Sequence, residues 1–296
     1  MRLPAFGHDS PALAGDFGGY RIERTLGQGS SATVYLAQDQ RQGLWVALKV
    51  FSPGGALAPA ERTELRTRFV QEAQIVKRLQ HPDIVSVHEV GEAAGRVWMA
   101  MELAPGCALT RYAQARRLLP AAVVLGLGVR VARALAHAHG LGIVHRDIKP
   151  SNVLVDLASQ SLKLVDFGTA RLLDHCRTRT EVMLGSPAYM APELLAGATA
   201  CAASDLYSLG VVLFELLSGR RPHESASMGE LLHQVATEPA PDLRRLCPDL
   251  PAPLATAVAR LLAKQAGRRP GSGEEAAAEL CALLRLWPEA SAMAAR

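Results

Sequence analysis

The residues from His145 to Asn152 read His-Arg-Asp-Ile-Lys-Pro-Ser-Asn. Three of them have the right types and spacing to act on one substrate. Asp147 could accept the proton of an attacking hydroxyl. Lys149, two residues on, could neutralise charge on a phosphoryl group in transfer. Asn152 could hold a metal ion. Asp166 follows downstream and opens Asp166-Phe167-Gly168, which places an acidic group in a tight turn. Phosphoryl transfer asks little covalent chemistry of a protein. It needs divalent ions, cations on the phosphates and an oriented nucleophile.

Two further residues stand out against apolar surroundings. Lys49 lies in Trp45-Val46-Ala47-Leu48-Lys49-Val50, where a lysine needs a buried anion or a route to solvent. Taken alone, it could be a charge on an edge strand. Glu72 falls between Phe69 and Val76 on the apolar stripe of the next helix, and a carboxylate there wants a cation. A Lys49–Glu72 pair poised over phosphates answers both. Gly27-Gln28-Gly29-Ser30-Ser31-Ala32-Thr33-Val34 joins two predicted strands, and its glycines let backbone amides approach a phosphate closely. By itself this stretch also fits a plain hairpin turn. No helix follows it and no G-x-x-x-x-G-K-[ST] occurs, so it is neither a dinucleotide fingerprint nor a Walker loop.

These groups must be held by ordered elements. Residues 1–19 are rich in Gly, Pro and Ala and read as a flexible tail. Alternation predicts strands from Tyr20 to Leu26, over Ala32–Gln38 and over Leu44–Phe51, with Asp39–Gly43 as a turn. Helical spacing of Leu65, Phe69, Val76 and Leu79 predicts a helix from about Ala60 to Gln80, ended by His81-Pro82. Strands follow near Ile84–Val90 and Arg96–Leu103. Helices are expected over Ala121–His139, Asp205–Ser218, Met228–Glu238, Pro253–Ala263 and Gly273–Leu286. Short strands at Val153–Val155 and Leu162–Val165 interrupt them. The organisation is thus a strand-rich part over 20–103, a larger helical part over 104–286 and a tail over 287–296.

Composition narrows the function classes. The chain has 296 residues, half of them apolar, which is a globular balance. A net charge of +4 does not argue for nucleic acid. Lysine occurs only at 49, 77, 149, 163 and 264 among 32 basic residues, so lysine at a motif position carries extra weight. The five cysteines include no C-x-x-C spacing, which suggests no metal or disulfide framework and fits a reducing cytoplasm. Met1–Gly19 has no signal-type apolar region, and the longest apolar runs, Leu118–Val129 and Leu209–Leu217, fall short of a membrane span. No membrane anchor is expected.

Taken in order and spacing, these motifs, with Ala191-Pro192-Glu193 downstream, resemble the eukaryotic-like (Hanks-type) serine/threonine protein kinases of bacteria. The match covers about residues 20–286. The resemblance implies an α+β, bilobal fold. Its small lobe is an antiparallel sheet with one main helix, and its larger lobe is mostly helical. It also implies transfer of the ATP γ-phosphate to Ser or Thr hydroxyls of proteins, with Mg²⁺ or Mn²⁺. Lys149 is the residue that Ser/Thr-directed members carry there. By the same resemblance, Gly27, Gln28, Gly29 and Val34 cover the phosphates. Leu26, Val34, Ala47 and Leu154 enclose adenine. Met101 is the gatekeeper, and Glu102 and Leu103 offer backbone hydrogen bonds. Lys49, held by Glu72, touches the phosphates. Asn152 and Asp166 bind metal, and Asp147 orients the hydroxyl.

Further roles follow from the family. Asp205 would accept bonds from the catalytic-loop backbone, although an ordinary helix cap fits it too. Glu193 would pair with Arg269, with Arg268 as an adjacent competitor. Residues 169–193 would form an activation loop. Phosphate on Thr178 or Thr180 would meet Arg146 and order that loop, while an exposed polar loop is the plainer reading. Ser186 would contact Asp147 and Lys149. Ala32 stands where the family has its third loop glycine. Related kinases pair their small lobes into homodimers, which nothing in these residues requires. A catalytically dead scaffold would lack Lys49, Asp147 or Asp166, and an aminoglycoside-type phosphotransferase would lack Ala-Pro-Glu.

Overall fold

The computed structural model describes residues 15–29, 32–51, 76–167 and 187–287, with single positions between 63 and 74. It divides into two compact units. The first takes the described residues up to Gln80 together with Val85–Ala104. The second takes His81–Ile84 and the described residues from Pro105 onward.

The first unit is a six-stranded antiparallel sheet. Its strands are β1 (Gly15–Phe17), β2 (Tyr20–Gln28), β3 (Ala32–Asp39), β4 (Trp45–Phe51), β5 (Val87–Ala93) and β6 (Arg96–Glu102), in the order β1-β2-β3-β4-β6-β5. β1 departs from the tail read over 1–19. Gly18 and Gly19, at φ +61° and +89°, make a two-residue turn that returns the chain so that Phe17 pairs with Tyr20. Burial of Phe17 in the core repays that turn. The described positions of the next helix, 63, 66, 67, 70, 73, 74 and 76, are helical.

Alternation along β4 sorts its side chains onto two faces. Val46, Leu48 and Val50 enter the core with Tyr20, Tyr35, Ala37 and Trp98. Tyr20 and Trp98 meet edge to face at 5.0 Å. Ala47 and Lys49 therefore take the opposite face. The register sets Lys49 opposite Val34 and Met99, and Ala47 opposite Met101. β4 lies between β3 and β6, so Lys49 is not an edge charge; it is buried in a central strand.

The second unit is built around α1 (Ala121–Gly140), which packs on α3 (Ala202–Ser218) and α7 (Gly273–Leu283). Around them lie α2 (Pro192–Leu195), α4 (Met228–Thr237), α5 (Leu243–Leu246) and α6 (Ala252–Leu261). A small sheet holds β7 (Cys107–Ala108), β8 (Val153–Asp156) and β9 (Ser161–Leu164). Among the described residues α1 alone has the length and apolar content to cross a membrane, but most of it is buried in this core. The α1–α7 approach needs Gly273, where a Cβ would lie 2.7 Å from the Ala132 carbonyl oxygen and 2.8 Å from the Ala136 amide nitrogen. Gly273→Val should lower the melting temperature by several degrees, since overpacking of this kind costs about 1–3 kcal/mol. An unchanged melt would show that α7 can move away freely.

His81–Ile84 joins this unit through two anchors that the sequence reading missed. Ile84 bridges to Leu164. The buried Asp83 carboxylate takes the Arg130 guanidinium of α1, whose Nη1 also donates to the Gln160 carbonyl at 2.7 Å.

Candidate active site

α1 ends at Gly140, and the chain then runs through a loop to a 3₁₀ turn at Pro150–Asn152 and into β8. That loop carries Asp147, and one buried carboxylate fixes it. Asp205 Oδ2 accepts the His145 amide and Oδ1 the Arg146 amide, each at 2.8 Å. His139 of α1 meets Oδ2 at 2.8 Å. Arg146 sits at φ +72°, a left-handed conformation unusual for a residue with a side chain, and these bonds hold it there. Asp205 is not the helix cap. α3 begins three residues earlier behind Cys201, so the Asp205 side chain is free to reach the loop.

His145 ties the loop to the strand end that bears Asp166. Complete burial pushes its ring pKa down, so the imidazole is neutral. Its Nε2 meets the Val165 carbonyl at 3.0 Å and its Nδ1 accepts the Asp147 amide at 3.3 Å. The Nε2–H tautomer satisfies both contacts. The ring also stacks, tilted, on Phe167 at 4.4 Å. The Val165 amide donates to the Asn152 carbonyl at 2.9 Å, and Asp166 follows in a left-handed conformation at φ +63°.

The structure brings Asp147, Lys149 and Asn152 together. Asp147 Oδ2 lies 2.6 Å from Lys149 Nζ. Asn152 Nδ2 donates to the same oxygen at 2.9 Å and to the Asp147 carbonyl at 2.8 Å. The Asn152 amide nitrogen is thereby engaged, so its Oδ1 is the side-chain atom left to act as an oxygen ligand; it accepts from Ser151 Oγ at 3.3 Å. Asp166 adds a carboxylate. Among the described residues no cluster of three or more His, Cys, Asp or Glu could hold a metal ion. A hard ion of the magnesium type does not require one, because it keeps waters and phosphates as most of its ligands. The oxygen-only pair of Asp166 and Asn152 fits such an ion.

In the first unit, Val34, Ala47, Lys49 and Met101 share one sheet face, as the register above requires. Leu26, Gly27 and Gln28 end β2, and the Gly29 amide donates to the Ala32 carbonyl at 2.8 Å to close the turn. The Glu102 amide is engaged with the Ser86 carbonyl at 2.9 Å, so that N–H is not the one offered to a ligand. Leu26 and Leu103 are exposed. Leu154 is a half-buried residue of β8 in the second unit. Glu72, Thr178, Thr180 and Ser186 lie outside the described residues.

Glu193 of α2 chooses between its two candidate partners. Arg269 Nη1 and Nη2 grip its two carboxylate oxygens at 2.7 and 2.8 Å, and Ser204 Oγ donates to the first at 2.9 Å. Arg269 is fully buried, donates to the Ala203 and Ala263 carbonyls and lies over the Tyr207 ring at 5.0 Å. Three partners were not read from the sequence. Asp83 and Arg130 stand 47 residues apart, and His139 lies in an alanine-rich run with no motif around it.

A family model described as protein kinase domain matches residues 20–281. The chain belongs to that family. The kinase domain is 42% identical over 277 residues to the DNA damage-responsive serine/threonine-protein kinase RqkA of Deinococcus radiodurans, covering 91% of this chain and 40% of the relative. It is 40% identical over 275 residues to the serine/threonine-protein kinase PknJ of Mycobacterium tuberculosis, covering 90% of this chain and 46% of the relative. The chain thus spans less than half the length of these relatives. The crystal structure of the Mycobacterium tuberculosis PknI kinase domain is 34% identical, with a TM-score of 0.71 over 91% of this chain and 98% of that one. The fold is the α+β protein-kinase fold of the bacterial Hanks type, and the family implies ATP and a divalent metal.

Proposed function

We propose that this chain transfers the γ-phosphate of ATP to Ser and Thr hydroxyls of proteins in the cytoplasm, with Mg²⁺ as the ion. The observation that carries this reading is the Asp147 carboxylate, held between Lys149 Nζ and Asn152 Nδ2 on a loop fixed by Asp205. The acceptor oxygen attacks the γ-phosphorus, the bond from that phosphorus to the β–γ bridging oxygen breaks, and ADP leaves with the electron pair. The acceptor proton passes to Asp147. Lys149, paired with Asp147, is assigned to neutralise charge on the phosphoryl group. Asn152 Oδ1 and Asp166 would hold the ion, which supplies positive charge to the phosphates. Lys49, with Glu72, is assigned to the α- and β-phosphates.

The nucleotide is assigned to Leu26, Gly27, Gln28, Gly29, Val34, Ala47, Met101, Leu103 and Leu154, with the Glu102 carbonyl beside them. Thr178 and Thr180 are the proposed phosphorylation sites, Arg146 their cationic partner and Ser186 the acceptor-side contact.

The test is to incubate the purified chain with ATP and either Mg²⁺ or Mn²⁺, and to map phosphate by mass spectrometry on it and on a generic Ser/Thr protein. Asp147→Asn and Lys49→Met should each lose about 10²–10⁴-fold in rate with an unchanged circular dichroism spectrum. No phosphate from the unaltered chain would remove the kinase reading. Phosphate found only outside 169–193 would keep the enzyme and remove the loop switch.

A further inference from the structure

Three segments of the second unit meet at the last turn of α3. Gly219 ends that helix at φ +74°, and a Cβ placed there would lie 3.1 Å from the Ala115 Cα, so the loop after β7 abuts the helix end. On another side Cys247, just past α5, donates its thiol to the Leu217 carbonyl at 3.4 Å. These segments present Arg111, Arg116 and Arg117, then Arg220, then Arg244 and Arg245, all six exposed. Among the described residues none of the six side chains has an ion-pair partner. The neighbouring Arg221 does have one, Glu224 at 3.3 Å.

The charge balance makes this face distinct. Residues 109–118, 218–224 and 242–249 carry seven arginines against Glu224, Asp242 and Asp249. That excess equals the whole formal net charge of the chain, +4, so the rest of the sequence is balanced. Asp242 also has a local task, since its carboxylate accepts the Arg244 amide at 2.9 Å and caps α5. Arginines without ion-pair partners, carried on segments that meet at one helix end, add to a positive field there, and an anionic partner relieves it. Every cation in the cluster is arginine, whose planar fork suits carboxylates held in two-point contact.

We propose that this face docks an acidic segment of a protein, rich in Asp and Glu and carrying or preceding the Ser or Thr to be phosphorylated. The proposal rests on the kinase reading for the fate of that segment, although the docking itself does not. A protein segment is favoured over a lipid surface because the face is built from loop ends and one four-residue helix, with Leu246 as its exposed large apolar residue and no amphipathic helix to embed. It is favoured over single-stranded nucleic acid because the one aromatic residue in the three segments, Tyr112, is half-buried and takes the Cys107 thiol at 3.9 Å, which leaves no stacking platform. The face belongs to the same compact unit as Asp147, so a docked segment is tethered to the unit that carries the proposed base.

Fluorescence anisotropy of a labelled Ser peptide flanked by about six glutamates, titrated with the full chain, tests the docking directly. Binding should weaken at least tenfold in R116E/R117E and again in R244E/R245E, with melting temperatures unchanged, and should weaken as salt rises. A matched peptide flanked by Gly and Ser should bind weakly and respond to neither variant. In the phosphotransfer assay the same variants should raise KM for the acidic peptide about tenfold and leave kcat, and both constants for the neutral peptide, as they were. Equal affinity for the two peptides, or equal loss on both in the variants, would overturn the proposal. So would tighter binding of phosphatidylglycerol vesicles or of an oligonucleotide, if abolished by the same reversals. Absence of phosphate on either peptide would count against the kinase reading alone, since the anisotropy result stands without it.

Discussion

Asp205→Ala should cost about two orders of magnitude in kcat and about 3 kcal/mol in stability, although Asp205 is assigned no contact with substrate. Its carboxylate is 1% exposed and takes the His145 amide, the Arg146 amide and His139 Nε2. Removing it leaves the buried His145 amide and the part-buried Arg146 amide and His139 ring N–H without this acceptor, and each such loss costs about 1–3 kcal/mol where the group is buried. The left-handed Arg146 would then have no bond to hold it and should relax toward ordinary backbone angles. Asp147 is the next residue, so that relaxation swings the proposed base away from Lys149 and Asn152. Asp205→Asn provides the graded control. Its amide oxygen can still accept one backbone N–H, while its NH₂ faces a second donor, so kcat should fall between the two. The check is steady-state kinetics at saturating ATP with a thermal melt of each variant. Asp205→Ala with kcat within twofold of the unaltered chain would show that the loop keeps its shape without this carboxylate.

The parts of the site that could be read from the sequence are those whose partners lie close along the chain. Asp147, Lys149 and Asn152 are within six residues of one another, so the segment itself brings them together, and the structure shows Asp147 bonded to both of the others. Asp205 was legible as a residue but not as a choice between roles. The deciding fact is where α3 begins, and Cys201 is a poor cap by residue type. For Lys49 the edge-strand alternative stayed open in the sequence, because strand order within a sheet is a long-range property and alternation alone cannot separate a central strand from an edge. β1 was hidden because Gly-Asp-Phe-Gly-Gly has low strand propensity, and only the burial of Phe17 reveals it. The arginine face left no trace in the sequence, since its residues are spread from 111 to 245 and the net charge they produce is small.

Arg269→Met should destabilise the domain by about 3 kcal/mol at neutral pH, and by progressively less as the solution is made acidic. The direction follows from Glu193. Burial alone would raise its pKa, but the two-point grip of Arg269, aided by Ser204, outweighs burial and holds it below the usual carboxylate range. A carboxyl that binds its proton more weakly folded than unfolded stabilises the fold above its unfolded pKa, about 4.3, and that contribution is lost as pH falls through the folded value. In Arg269→Met the half-buried carboxylate loses its cation while Tyr207 loses the guanidinium above its ring. Burial then dominates and pushes the Glu193 pKa up, so the variant recovers some stability by protonating where the unaltered chain does not. The gap between the two is therefore widest near pH 7 and narrows toward pH 5. Arg269→Lys should recover less than half of it, because an ammonium cannot meet both Glu193 oxygens and the Ala203 and Ala263 carbonyls together. Urea denaturation of the three proteins at pH 7 and pH 5 measures this. A gap that stays constant with pH would mean that Arg269 acts by packing against Tyr207 and that its charge pair with Glu193 contributes nothing.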